Sequence, residues 1–127
     1  MGVSLKGNLK MKIIRLFTGP DEQSHFEEIS VELFQNPFGK NSQAFPVQCL
    51  LLGEVEIKEV SWHNPPFPQY IVMLEGSMEI EVGDGTKRVF NAGEILLAED
   101  TTGQGHITRA VSEGVRRYMV MPLELPH

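Results

Sequence analysis

His63 and His106 stand at the two ends of a run of short apolar segments and tight turns, with Gln69 after the first and the adjacent carboxylates Glu99 and Asp100 before the second. Imidazole is the side chain whose ordinary pKa, about 6.5, lies nearest neutrality, so two of them brought into one pocket could move protons. A carboxylate beside His106, either Glu99 or Asp100, would fix its tautomer and complete an acid–base dyad. Tyr70 is a candidate opposing acid. These residues also have plainer readings. The histidines could simply hydrogen-bond to Gln69 and loop residues, Asp100 could cap backbone amides in a solvated turn, and Tyr70 could be a core or interface aromatic.

Strand parity sharpens the pocket. Gln69, Ile71 and Met73 share one strand face, so the wall would be apolar beside one polar group, a usual composition for a small-ligand site. Tyr70 falls on the opposite face. Trp62, next to His63 at a strand end, could cover the pocket mouth or serve in a core or dimer contact; Gln69, Trp62, Asp100 and Met73 are the candidate ligand contacts. Arg109 follows His106 by three and should face away from it. His25 reads as a surface or interface histidine, and His127 is the last residue. The chain carries no phosphate-binding or dinucleotide-binding glycine loop and no nucleophile elbow.

The elements that must position these groups have a period of two. Met78, Ile80 and Val82 alternate with Ser77, Glu79 and Glu81, the pattern of a half-buried antiparallel strand. Residues 70–74 are apolar on both faces and predict a central strand, covered by the core on one side and by a second sheet or another subunit on the other. Gly83-Asp84-Gly85-Thr86 predicts a hairpin turn into residues 87–90, and Asn91-Ala92-Gly93-Glu94 a second turn into residues 95–98. Further strands are expected at 12–17, 27–33, 48–52, 55–62, 106–111 and 115–121, a loop at 35–46, and at most one helical turn at 21–28. Short strands with turns about every 8–12 residues indicate a β-sandwich or a closed double-sheet barrel.

The 127 residues suit a single domain at 11–127, preceded by a flexible arm at 1–10. A net charge of -6, with scattered basic residues, argues against a nucleic-acid or anionic-membrane partner. The single cysteine, Cys49, cannot form an internal disulfide and reads as a small buried hydrophobe; together with the lack of an apolar leader or span, it suggests a cytoplasmic protein. The apolar runs at 12–17, 50–52 and 70–74 exceed what one small barrel needs, so a homodimer is expected.

The order of strand, His, proline-rich turn, polar residue, hairpin, Gly-Glu-Ile, loop and His resembles the cupin superfamily over roughly residues 50–121. Against the motif G(X)5HXH(X)3,4E(X)6G, His63, Gln69 and Gly76 fall on the first His, the Glu and the final Gly. Ile57 replaces the first Gly, and Pro65 or Asn64 stands at the second His, depending on the spacing. Against G(X)5PXG(X)2H(X)3N, Gly93 and His106 match, the loop is two residues longer, Glu99 takes the Pro position and Ala110 the Asn position. The string LLAEDTTGQGHITR is similar to a subgroup of single-domain bacterial cupins.

The resemblance implies an all-β, cupin-type double-stranded β-helix, a jelly-roll barrel. Cupins that hold a catalytic metal typically use three His and one Glu, and these positions leave His63, Gln69 and His106. One divalent transition metal (zinc, iron, nickel or manganese) would then need Glu99 or Asp100 as an anionic third ligand, because an amide oxygen donates weakly. A His-carboxylate dyad with a tyrosine resembles instead the metal-free, epimerase-type cupins. The expectation is a small-molecule enzyme working through His63 and His106, with Glu99 as partner. The alternative is a non-catalytic ligand-binding or sensing cupin with an eroded metal site.

Overall fold

A computed structural model describes residues 11–124; the expected arm at 1–10 and His127 lie outside the described residues. Twelve strands and no helix are found among them. Six form one sheet in the order β2 (Ser24–Ser30), β1 (Lys12–Thr18), β10 (Ile95–Ala98), β7 (Gln69–Glu75), β12 (Arg116–Pro122) and β5 (Leu51–Val55). Four form a second sheet in the order β6 (Glu59–His63), β11 (His106–Ala110), β8 (Met78–Glu81) and β9 (Lys87–Phe90). A small separate hairpin joins β3 (Phe34–Asn36) to β4 (Gly39–Asn41).

From β5 onward the chain passes repeatedly between the two large sheets, and only the β8–β9 hairpin stays within one of them. That path, with antiparallel pairing throughout this part, is the jelly-roll course of a double-stranded β-helix. The two sheets face each other without joining into one hydrogen-bonded ring. β1 adds a parallel partner to β10, and Ile14 and Leu16 reach the core from it.

Alternation explains the layers. Met78 and Ile80 point inward to the core with Phe90, Met73 and Leu96, while Glu79 and Glu81 point outward to the Arg109 guanidinium. Burying that apolar set drives the sheets together, at roughly 25 cal/mol per Å² of apolar surface.

Several local expectations change. Residues 21–28 form no helical turn: Gly19 N–H donates to Gln23 O at 2.8 Å, Glu22 takes a left-handed φ of 62°, and the chain reverses straight into β2. Pairing with β1 along all seven residues of β2 satisfies more backbone groups than one isolated turn could. β2 therefore begins at Ser24, earlier than the strand expected from 27. The expected loop at 35–46 contains β4 and most of β3, β5 starts at Leu51 rather than 48, and Cys49 is half-buried rather than buried. β7 is central, as its two apolar faces require, but part of its outer face is covered by the chain's own residues 42–47. There the Phe45 ring meets Tyr70 with centroids 6.2 Å apart. No helix among the described residues is long and apolar enough to cross a membrane.

Candidate active site

His63 and His106 are opposite one another in the register of β6 and β11, and their rings meet edge-on with centroids 4.4 Å apart. Two backbone devices produce this approach. Between His106 and Thr108 the register slips, so that β6 carries an extra residue and both Val60 and His63 line the interior. A bulge of this kind re-aims a side chain that simple alternation would send elsewhere. Gly105 (φ 75°) supplies the second device, since a Cβ there would lie 2.0 Å from the His63 carbonyl oxygen.

Each imidazole has its Nδ1 against an acceptor. His63 Nδ1 lies 2.8 Å from Ser61 O, and His106 Nδ1 lies 2.6 Å from Asp100 Oδ2. Ser61 O is a carbonyl oxygen and Asp100 Oδ2 a carboxyl oxygen that already accepts from Ser24, so each contact favours the ring form with its proton on Nδ1, the form that leaves the Nε2 lone pair free. Asp100 is fully buried, and its Oδ2 also accepts from Ser24 Oγ at 2.7 Å, while its Oδ1 has no hydrogen-bond partner among the described residues. Ser24, Asp100 and His106 form a buried relay that holds the ring from behind.

Asp100, not Glu99, is thus the carboxylate at His106. Glu99 points the other way, where its Oε1 accepts from Arg15 Nε at 2.5 Å. Successive residues leaving β10 project to opposite faces, and the Arg15 guanidinium on the neighbouring strand captures the outward one. Asp100 lies behind His106 and does not line the cavity, which corrects its expected place among the ligand contacts. It is not a solvated cap either. Asn64 clips the loop between them, donating from Nδ2 to Asp100 O at 2.9 Å and to Thr102 O at 3.0 Å.

The cavity between the sheets has a volume of about 260 Å³. His63, His106, Gln69, Asn64, Pro65 and Thr108 bring its polar and rigid elements, and Met73, Ile71, Ile80 and Val120 are among its apolar walls. Gln69 and Met73 stand where parity placed them. Trp62 is not a ligand contact: it is absent from the lining and 40 % exposed, because it is adjacent to His63 and strand alternation sends it to the opposite face. Tyr70 is on the outer face, where burial, and secondarily the charge of Glu99, push its phenol above the usual tyrosine range. The tyrosine in the cavity is Tyr118 of β12, whose ring lies over Gly53; a Cβ at Gly53 would come within 2.6 Å of it. Arg116 also lines the cavity. The alternation Arg116, Tyr118, Val120 was available in the sequence as a signal for both. His25 is outside the cavity lining and pairs with Asp21 at 2.9 Å, which holds that carboxyl below its usual range.

The donor set does not fit a retained metal ion. Among the described residues no group of three or more His, Cys, Asp or Glu side chains converges. Glu99 is tied to Arg15, and the one oxygen of Asp100 that reaches the site is already spent on His106 and Ser24. Two imidazoles with the neutral Gln69 lack the anionic ligand that would offset the ion's charge.

The strand path defines a double-sheet jelly roll, with the histidine pair seated between its sheets on β6 and β11. No family model matches the chain, and no curated protein matches it. Solved structures do. One is protein NMB1881 from Neisseria meningitidis (17% identity, 75% of this chain and 84% of that one, TM-score 0.47). Another is dTDP-6-deoxy-D-glucose-3,5-epimerase RmlC from Legionella pneumophila in complex with dTDP-4-keto-L-rhamnose (7% identity, 90% and 73%, TM-score 0.46). A third is an ethanolamine utilization protein q from Salmonella typhimurium (11% identity, 92% and 100%, TM-score 0.36). These likenesses concern fold at low identity; the residue roles below are drawn from this chain's own geometry.

Proposed function

We propose that the protein is an enzyme that moves a proton on a small organic metabolite held between the sheets, with His106 as the base. The observation that carries this reading is the buried 2.6 Å contact between His106 Nδ1 and Asp100 Oδ2. A carboxylate on the far nitrogen holds an imidazole in one tautomer and orientation, and it offsets the charge gained when Nε2 takes a proton. His63, at 4.4 Å and in the same tautomer, is the second group that can accept or return a proton within the cavity. Tyr118, not Tyr70, is the phenol on the opposing wall.

In the step proposed, a C–H bond next to a substrate carbonyl breaks, its electron pair passes into the enolate, and His106 Nε2 takes the proton. Return of a proton to the same or a neighbouring carbon completes an isomerase-type reaction without redox change. Gln69, whose amide can donate to a carbonyl oxygen, is placed to hold the substrate. We also propose a homodimer, supported by the exposed Leu50, Leu51 and Leu52 at and just before edge strand β5, and a cytoplasmic setting, supported by the single unpaired Cys49.

The test is deuterium wash-in, followed by NMR, on a panel of small ketones and 2-oxo acids in D₂O. The parent protein should accelerate exchange of α-protons in at least one of them, and His106→Asn should abolish the acceleration. Binding of panel members without any exchange would overturn the enzymatic reading in favour of a ligand-binding or sensing module.

A further inference from the structure

Arg116 is 3 % exposed and lines the cavity that holds the histidine pair, yet it has no ion-pair partner among the described residues. Its Nη2 donates to Ile57 O at 3.1 Å, while its Nη1 is buried with no hydrogen-bond partner among the described residues. A buried guanidinium without a counter-charge is strongly unfavourable, and an unpaired one beside a cavity marks the place where an anion completes it. Its stem is fixed as well. A Cβ on Gly76 would come within 3.0 Å of the Arg116 Cγ and 3.3 Å of its Cα, so only glycine, here at φ 80°, lets the turn pack against it.

We propose that Arg116 is the recognition group for a carboxylate on the substrate, so that the cavity takes an elongated organic monocarboxylate. Gln69 is opposite Pro122 and Glu75 is opposite Arg117, which places Arg116 and Gln69 at opposite ends of β7. The ligand's carboxylate sits at the Arg116 end and its reacting carbon at the imidazole end, with an apolar chain along Ile71, Ile80 and Val120. The lining residues include one permanent cation and no Asp or Glu, so the site offers a single unmatched positive charge inside a protein of net charge -6. One guanidinium surrounded by aliphatic walls matches a monoanion. A phosphate dianion would call for further cations or a nest of backbone N–H groups.

This assignment rests on the cavity being the substrate site, and the experiment separates the two claims. Hexanoate, its neutral isostere hexanamide and inorganic phosphate are titrated into the full chain, with ¹H–¹⁵N NMR and thermal melting as readouts. Hexanoate should bind the parent tighter than hexanamide by about tenfold, the expected scale for a charge-assisted hydrogen bond, and phosphate should not bind. Arg116→Met should erase the preference for hexanoate while melting at or above the parent's temperature, because it removes an unpaired buried charge. Should that variant fail to fold, Arg116→Lys carries the test: it keeps the charge but loses the planar fork, and hexanoate affinity should fall. His106→Asn should keep the preference while losing proton exchange, which distinguishes failure of the catalytic reading from failure of this one. Equal binding of hexanoate and hexanamide by the parent, a preference that survives Arg116→Met, or tight phosphate binding would each overturn the proposal.

Discussion

His63 and His106 are register partners across two antiparallel strands, 4.4 Å apart ring to ring, and both have committed Nδ1 to an acceptor outside the cavity. The pair is therefore organised before any ligand arrives. What differs between the two rings is the acceptor: a backbone carbonyl behind His63, a buried carboxylate behind His106.

That difference makes Asp100→Asn the informative substitution. An amide in place of the carboxylate removes the charge that would offset an imidazolium and can present an N–H where Nδ1 needs an acceptor. Proton transfer should fall on the order of a hundredfold or more. Long-range ¹H–¹⁵N spectra of the imidazoles should show His106 leaving its Nδ1–H form while His63 keeps it. An unchanged His106 tautomer in the variant would remove Asp100 from its positioning role.

Gly105→Ala should be far more damaging than Gly85→Ala. Both glycines have positive φ, 75° and 90°, but a Cβ at 105 meets the His63 carbonyl at 2.0 Å whereas one at 85 meets nothing within 4 Å. Urea unfolding should show a loss of about 1 kcal/mol at 85, the left-handed penalty alone, and roughly 3 kcal/mol or more at 105. Equal losses would mean that the close approach of β11 to β6 is not set by this glycine.

Gln69→Glu adds the anionic oxygen that the His63 and His106 set lacks. Zinc affinity by calorimetry should rise roughly tenfold or more over the parent, and the gain should vanish when either histidine is changed to Asn. No gain would show that Gln69 and the imidazoles do not converge on one point. Tight zinc binding by the parent itself would contradict the donor-set reasoning.

The exposed Leu50, Leu51 and Leu52, 53 %, 53 % and 71 % accessible, and the 40 % accessible Trp62 leave more apolar surface uncovered than a small monomer usually tolerates. Light scattering on a sizing column should give twice the chain mass of 14.3 kDa. A monomer at micromolar concentration would refute the dimer, and Leu51→Lys with Leu52→Lys should produce one if the dimer is real.

Residue order was enough to establish the all-β architecture, because a period of two is a local property: Met78, Ile80 and Val82 must share a face wherever the strand lies. The spacing of turns around His63 and His106 likewise sufficed to bring them to one cavity. Parity put Tyr70 on the face opposite Gln69, where it lies, but period alone does not say which face of a strand is the inner one, and Tyr118 and Arg116 were overlooked. The opposing sheet decides it: Arg116 and Tyr118 face the cavity they share with residues of β6, β8 and β11, and Tyr70 faces away from it. The choice between Glu99 and Asp100 was equally beyond a linear reading, since it depends on Arg15, 84 residues away along the chain, drawing one carboxylate outward. Val60 shows the same limit: one extra residue in β6, invisible until β11 pairs with it, lets Val60 share the inner face with His63, whereas Trp62 is outside by simple alternation from its neighbour His63. Local periodicity is written in consecutive residues, whereas facing, ion pairing and bulges arise from contacts that exist only once distant strands have paired.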